Sequence, residues 1–88
     1  MYVYVISYDL MSPGQNYNRV ISRLKELGAK QTLLSTWVLR HSASAIAIRD
    51  DLQKVVDTND RLLIYASPSN WAAYNALNTK TIQQDIAA

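Results

Sequence analysis

The chain has no cysteine and no phenylalanine, a single histidine, and only two glycines and two prolines among its 88 residues. Each shortage closes off a class of explanation. Without cysteine there is no disulfide framework and no thiolate metal site, and a reducing compartment suits the chain. His41 has no second His or Cys near it, which makes it a poor metal ligand and an unpartnered general base, so it is given no role. No glycine-rich phosphate loop, nucleophile elbow or His-Glu zinc motif is present, which leaves the familiar nucleotide-hydrolase and protease chemistries without support. The chain has no run of about 18 apolar residues with which to cross a membrane. The opening "MYVYVISYDL" lacks a basic leader and its apolar run is too short for a secretion signal, so a soluble cytoplasmic protein without a membrane partner is expected. Excess charge is also scarce. Nine Lys and Arg against seven Asp and Glu give a net +2, too mild to imply nucleic acid by itself, although a localised basic face could still bind phosphates.

What is there points to one compact unit. Roughly half the residues are apolar (49%), and two Trp with six Tyr carry all the aromatic bulk. A chain this size buries only about 60 to 65% of its unfolded surface, so its core is thin and a partner chain would help. No composition shift, repeat or charge run marks an internal boundary.

Residues 2 to 9 are β-branched and aromatic with apolar side chains at both parities, Tyr2, Tyr4, Ile6 and Tyr8 on one face and Val3 and Val5 on the other. That pattern predicts a central strand. Ser12-Pro13-Gly14 breaks it. From Asn16, a plausible N-cap, Tyr17, Val20, Ile21, Leu24 and Leu27 recur at helical spacing until Gly28 stops them, and the other side carries Arg19, Arg23, Glu26 and Lys30. "AKQTLLSTWVLRH" has strand composition but is long for one strand, and Leu34-Ser35 is a natural bend or hairpin. Ser42 or Ser44 caps a second helix with the stripe Ala45, Ile48, Leu52 and Val55, an exposed Asp50–Lys54 pair, and an end near Asp57. "DTND" is turn chemistry, and "RLLIYA" is again apolar at both parities, which predicts another interior strand. In the tail, Ser69 as a cap with Trp71, Tyr74 and Leu77 three apart suits a short helix, whereas residues 78 to 88 show no clear period.

The order β-α-β-β-α-β predicts an α+β, ferredoxin-like sandwich over residues 1–67, an antiparallel sheet with two helices on one face, followed by a short C-terminal tail, 68–88. The second sheet face then lacks a cover. A homodimer would supply one, since two-fold dimers are the commonest homo-oligomers, and the tail is a competing cover.

The segments "YVISYDL", "NRVISRLKELGAKQTLLSTWVL" and "NDRLLIYAS" stand in an order that resembles the superfamily of the second CRISPR-associated protein. That superfamily also contains virulence-associated protein D and small stand-alone relatives. The resemblance covers residues 2 to about 67, and the order of the motifs carries it more than any one of them. Tyr8 and Asp9 match the Tyr-Asp that ends the superfamily's first strand, Arg19 and Arg23 its helix-one arginines, and Ser35 with Trp37 its Ser-x-aromatic segment, with Trp where Phe is more usual. The resemblance implies a ferredoxin-like homodimer and a metal-dependent nuclease, an endoribonuclease or DNase, in which Asp9 from each subunit approaches its symmetry mate and holds Mg²⁺ or Mn²⁺. Tyr8, Arg19, Arg23, Ser35 and Trp37 are then the residues expected to meet nucleic acid.

Residue chemistry allows that role for Asp9 and also a plainer one. Two carboxylates brought together repel unless a proton or a hard cation sits between them, and such a cation could activate water toward a phosphodiester. Asp9 could equally hydrogen-bond the backbone of the Ser12–Gly14 turn. Arg19 and Arg23, one turn apart, could hold phosphates or merely be solvated; Tyr8 could stack on a base or belong to the core; Ser35 suits a hairpin and Trp37 packing. Three functions follow: a metal-dependent nuclease acting on RNA or DNA through Asp9, a non-catalytic homodimer binding nucleic acid or a protein partner, and a ferredoxin-like module binding a small molecule at its dimer interface.

Overall fold

A computed structural model of the chain describes residues 1–11, 17–67 and 70–87; the Ser12-Pro13-Gly14 break, the N-cap expected at Asn16 and the cap expected at Ser69 lie outside them. The elements run β1 (Tyr2–Asp9), α1 (Tyr17–Leu27), β2 (Lys30–Leu33), β3 (Thr36–His41), α2 (Ala45–Gln53), β4 (Arg61–Ala66) and α3 (Thr79–Ala87). The architecture is α+β, a four-stranded antiparallel sheet in the order β2-β3-β1-β4. β1 lies between β3 and β4 and is antiparallel to both, and β3 is antiparallel to β2. It follows that α1 joins two parallel strands, β1 and β2, with β3 inserted between them. In the same way α2 joins β3 and β4 around β1.

The period of two in β1 decides which residues reach the core. Tyr4, Ile6 and Tyr8 are buried, and they meet Val20 and Leu24 of α1, Trp37 and Leu39 of β3, and Ile48 and Leu52 of α2. Both helices therefore cover one face. Ile6, Val20, Leu24, Leu39 and Leu52 are the largest side chains fully removed from water. Burying a Val, Leu or Ile side chain stabilises by about 1.5 to 3 kcal/mol relative to leaving it exposed.

Local chemistry closes α1 and opens α2 where the sequence predicts. Gly28 has φ of 92°, its N–H donates to the Lys25 carbonyl at 3.0 Å, and the Ala29 N–H reaches back to the Leu24 carbonyl at 2.9 Å, closing α1 in a Schellman motif. The Ser44 hydroxyl accepts from the Ala47 N–H at 3.1 Å and caps α2. The thirteen-residue stretch is two strands joined through Leu34 and Ser35.

Three expectations are corrected. α2 stops at Gln53, and Asp50 pairs with its neighbour Arg49. β4 is an edge strand and not an interior one: Leu62 and Ile64 pack on the core, while Leu63 and Tyr65, on the other face, are 59% and 47% exposed. The tail helix is Thr79–Ala87, not the segment carrying Trp71, Tyr74 and Leu77, which lies among turns. Asn75 and Asn78 both take φ of 54°, the left-handed conformation that Asn tolerates and a continuous helix does not.

The tail folds back over the second sheet face. Leu77 N–H donates to the Thr32 carbonyl at 2.8 Å, the Asn78 amide to the Gln31 carbonyl at 2.9 Å, and Lys30 pairs with Asp85. Ile82 of α3 is 2% exposed, and it shares an apolar groove of about 350 Å³ with Val5, Val38 and Trp71. α3 contacts β2 and β3, so it covers that half of the face. The β4 side of that face stays open, with Leu63 and Tyr65 exposed.

Candidate functional site

Asp9 is the last residue of β1, and its odd position puts it on the open face with Ser7, Val5 and Val3, away from the core side chains at even positions. Its register partner is Arg61, the first residue of β4. Ser7 faces Thr36 of β3, with the two hydroxyls 3.0 Å apart. The Tyr8 N–H donates to the Ser35 carbonyl at 3.1 Å, which draws the hairpin turn against the end of β1. Ser7, Tyr8, Asp9, Ser35, Thr36 and Arg61 thereby line one shallow cleft of about 330 Å³. Asp60 fastens the same end of the sheet: one carboxylate oxygen accepts the Met11 N–H at 2.8 Å and the other the Asp57 N–H at 2.7 Å. The exit of β1 and the entry to β4 are held together by that one side chain.

Asp9 and Arg61 are both exposed, and neither side chain is held by an ion pair or hydrogen bond from another described residue. A carboxylate, a guanidinium and three hydroxyls on one open surface form a set of oxygen ligands and one anion-binding fork. The groove beneath the tail has no carboxylate or cation in its wall, so the Asp9 cleft is the better candidate for chemistry on a charged substrate.

The other expected residues separate into two groups. Tyr8 and Trp37 are core residues, 4% and 3% exposed, with the Trp37 indole N–H donating to the Tyr8 hydroxyl at 3.3 Å. Burial pushes the Tyr8 phenol above its ordinary pKa, the hydrogen bond from Trp37 opposing that rise. Neither ring offers a free face to a base; the Tyr8 ring instead meets Tyr17 edge-on at 6.5 Å. Ser35 does reach the Asp9 cleft.

Arg19 and Arg23 point into the helix layer. Arg19 donates to the Lys54 carbonyl at 3.1 Å, beyond the end of α2. Arg23 forks onto both oxygens of Asp51 at 2.8 and 2.6 Å and also reaches Glu26 at 3.4 Å. The guanidinium holds the Asp51 carboxyl below its ordinary range. These arginines tie α1 to α2, on the side of the sheet opposite the Asp9 side chain. His41 Nδ1 accepts the Ala43 N–H at 3.0 Å and shapes the turn into α2.

Among the described residues no group of three or more His, Cys, Asp or Glu side chains could hold a metal ion. One carboxylate with nearby hydroxyls still fits the way Mg²⁺ is bound, through one or two carboxylates, water and substrate phosphate oxygens. Asp9 is the residue of the cleft that could hold such an ion. Arg61, Thr36 and Ser7 are site residues that the sequence reading does not pick out. Their signal is positional, because the end of β1 faces the start of β4 only once the antiparallel register is known.

No protein-family model matches the chain. Among the described residues no helix is long and apolar enough to cross a membrane.

Proposed function

We propose that the chain is a homodimeric, ferredoxin-like protein that binds phosphodiesters with a divalent cation and cleaves them through Asp9, in the manner implied by its resemblance to the superfamily of the second CRISPR-associated protein. The carrying observation is the Asp9 cleft, where an uncommitted carboxylate and an uncommitted guanidinium stand as register partners beside three hydroxyls. Two interleaved β-α-β units in the order β2-β3-β1-β4 support the ferredoxin-like reading. The open β4 side of this sheet face, with Leu63 and Tyr65 exposed, supports a two-fold partner there. Two copies meeting there would bring one Asp9 each, and a Mg²⁺ or Mn²⁺ ion between them would remove their repulsion and polarise the phosphate.

The test is cleavage of labelled single-stranded RNA and duplex DNA by wild type and Asp9→Asn, with and without chelator, on independently purified batches. Metal-dependent cleavage should vanish in the variant while the dimer persists or gains stability, because the repulsion goes with the charge. Absent wild-type activity, or activity surviving both substitution and chelation, refutes the nuclease reading.

A second reading is a non-catalytic dimer that binds nucleic acid or a protein. It is favoured by the single carboxylate in the cleft and by the place of His41, opposite Tyr2 at the far end of β1, which leave no general base beside Asp9 among the described residues. Retained binding without cleavage selects it.

A further inference from the structure

We propose that Arg61 is the residue that grips the substrate phosphate, forking its guanidinium onto the non-bridging oxygens of a phosphodiester held beside Asp9; this rests on the reading of the Asp9 cleft given above. Directly opposed residues of an antiparallel pair have Cβ atoms about 4.5 to 5.5 Å apart. Asp9 and Arg61 are opposed in this way, at the open end of two strands fastened by Asp60. A planar guanidinium with parallel donors matches a phosphate's paired oxygens, which an ammonium does not.

The other cations are engaged elsewhere or lie elsewhere. Arg23, Lys30 and Arg49 sit in ion pairs, and Arg19 is bound to a carbonyl in the helix layer. Arg40 lies on the same sheet face as Arg61 but opposite Val3, six residues back along β1 from Asp9, about 20 Å at the rise of a strand. Among the residues lining the Asp9 cleft, Arg61 is the one cation.

The arrangement also predicts how metal and substrate depend on each other. A bare Asp9 carboxylate repels a phosphate that Arg61 attracts, so binding should be weak without a divalent ion. Neutralising Asp9 should relieve that requirement, whereas removing Arg61 should weaken binding whether or not metal is present. A cross-strand Asp9–Arg61 pair serving only the fold would behave differently: Arg61→Ala would lower the melting temperature and leave phosphate affinity alone.

The experiment is a fluorescence-anisotropy titration of a labelled single-stranded RNA and a labelled duplex DNA, in Mg²⁺ and in chelator, across a salt series, with cleavage followed on the same samples. Arg61→Ala should raise Kd about tenfold or more, the loss expected of a charge-assisted hydrogen bond. It should flatten the slope of log K against log salt by about 0.7 to 0.9. Arg61→Lys should recover part of the affinity, and Arg40→Ala, which removes the same charge far along β1, should change Kd less than twofold. Asp9→Asn should bind in chelator better than wild type does. If Arg61→Ala binds as wild type does, or Arg40→Ala costs as much, the proposal is overturned while cleavage through Asp9 can still stand. If wild type binds without cleaving and Arg61→Ala loses binding, catalysis fails and the assignment of Arg61 holds. A wild type that neither binds nor cleaves overturns both.

Discussion

Replacing Tyr8 with Phe tests whether the residue beside Asp9 serves the core or the substrate. The substitution removes one oxygen from a side chain that is 4% exposed and leaves the ring in place. That oxygen is the acceptor for the Trp37 indole N–H, itself part of a side chain 3% exposed. An indole nitrogen can only donate, so Trp37 would be left with a buried, unsatisfied N–H. A stranded buried donor costs about 1 to 3 kcal/mol, more than the roughly 1 kcal/mol net value of an ordinary hydrogen bond. At about 4 to 8 °C per kcal/mol for a domain of this size, the melting temperature should fall by about 4 to 24 °C.

The cycle with Trp37→Phe separates this cause from general packing. In the Trp37→Phe background there is no donor to strand, so Tyr8→Phe should cost little there and the coupling should approach the full loss. Titration supplies a further readout. The phenol's pKa is raised by burial, so the stability that Tyr8 contributes is complete below the unfolded value near 10 and is lost as pH rises through the folded one. Tyr8→Phe should lessen the alkaline destabilisation of the wild type. Nucleic-acid affinity at matched folded fraction should not change. A loss under about 0.5 kcal/mol, or no coupling with Trp37, would refute the account of the core. A selective loss of binding with stability intact would return Tyr8 to the substrate surface.

Two further outcomes are expected. Ile82→Ala should destabilise by about 2 to 4 kcal/mol in urea unfolding, as for a buried Ile elsewhere, or should release α3 alone, seen as faster amide exchange in residues 79–87 and at Val38; neither effect would mean that the tail does not cover the β2–β3 half. Because Asp51 titrates below its ordinary value in the folded state, its stabilisation is present above about pH 4 and is lost as pH falls through the lowered pKa, so Asp51→Asn should show a smaller drop in urea midpoint between pH 5 and acid than wild type, and an equal drop would refute the pair's role.

The parts of the fold that were legible in the sequence are those set by near neighbours. β1 could be read because Tyr4, Ile6 and Tyr8 alternate with Val3 and Val5, and α1 could be closed because Gly28 alone meets the left-handed φ of a Schellman end. The edge position of β4 was not legible: Leu63 and Tyr65 have the composition of buried residues but face outward. The tail was misread because Trp71, Tyr74 and Leu77 are bulky and three apart, a period that Asn75 interrupts. Ile82 and Ile86, one turn apart, carried the weaker but correct signal. Of the residues lining the candidate cleft, the resemblance names Tyr8, Asp9 and Ser35, but Arg61 meets Asp9 only through the register of β1 on β4. Arg23 meets Asp51 across the helix layer in the same non-local way.

That last pairing bears on where a polyanion could bind. A basic stripe on α1 is the obvious phosphate surface in the sequence, yet Arg23 is engaged by both carboxylate oxygens of Asp51. Lifting it onto a phosphate would break a two-pronged pair and leave Asp51 facing the incoming negative charge. Arg61 has no such pair to break and sits on the half of the sheet that α3 leaves open. The acidic side is depleted by pairing too: Glu26, Asp50, Asp51 and Asp85 are all in ion pairs, so much of the negative charge lies close to compensating cations. Of the remaining carboxylates, Asp60 accepts the Met11 and Asp57 N–H groups and Asp57 lies in the turn so held, so Asp9 is the one in a cleft with an available cation beside it. A substrate drawn by the protein's small positive charge would be steered weakly and at short range, and discrimination would fall to the Asp9–Arg61 end of the sheet. Any nucleic-acid binding should therefore weaken with salt along the shallow slope of one or two phosphate contacts per chain; a slope of six or more would place the contact surface on the helices instead.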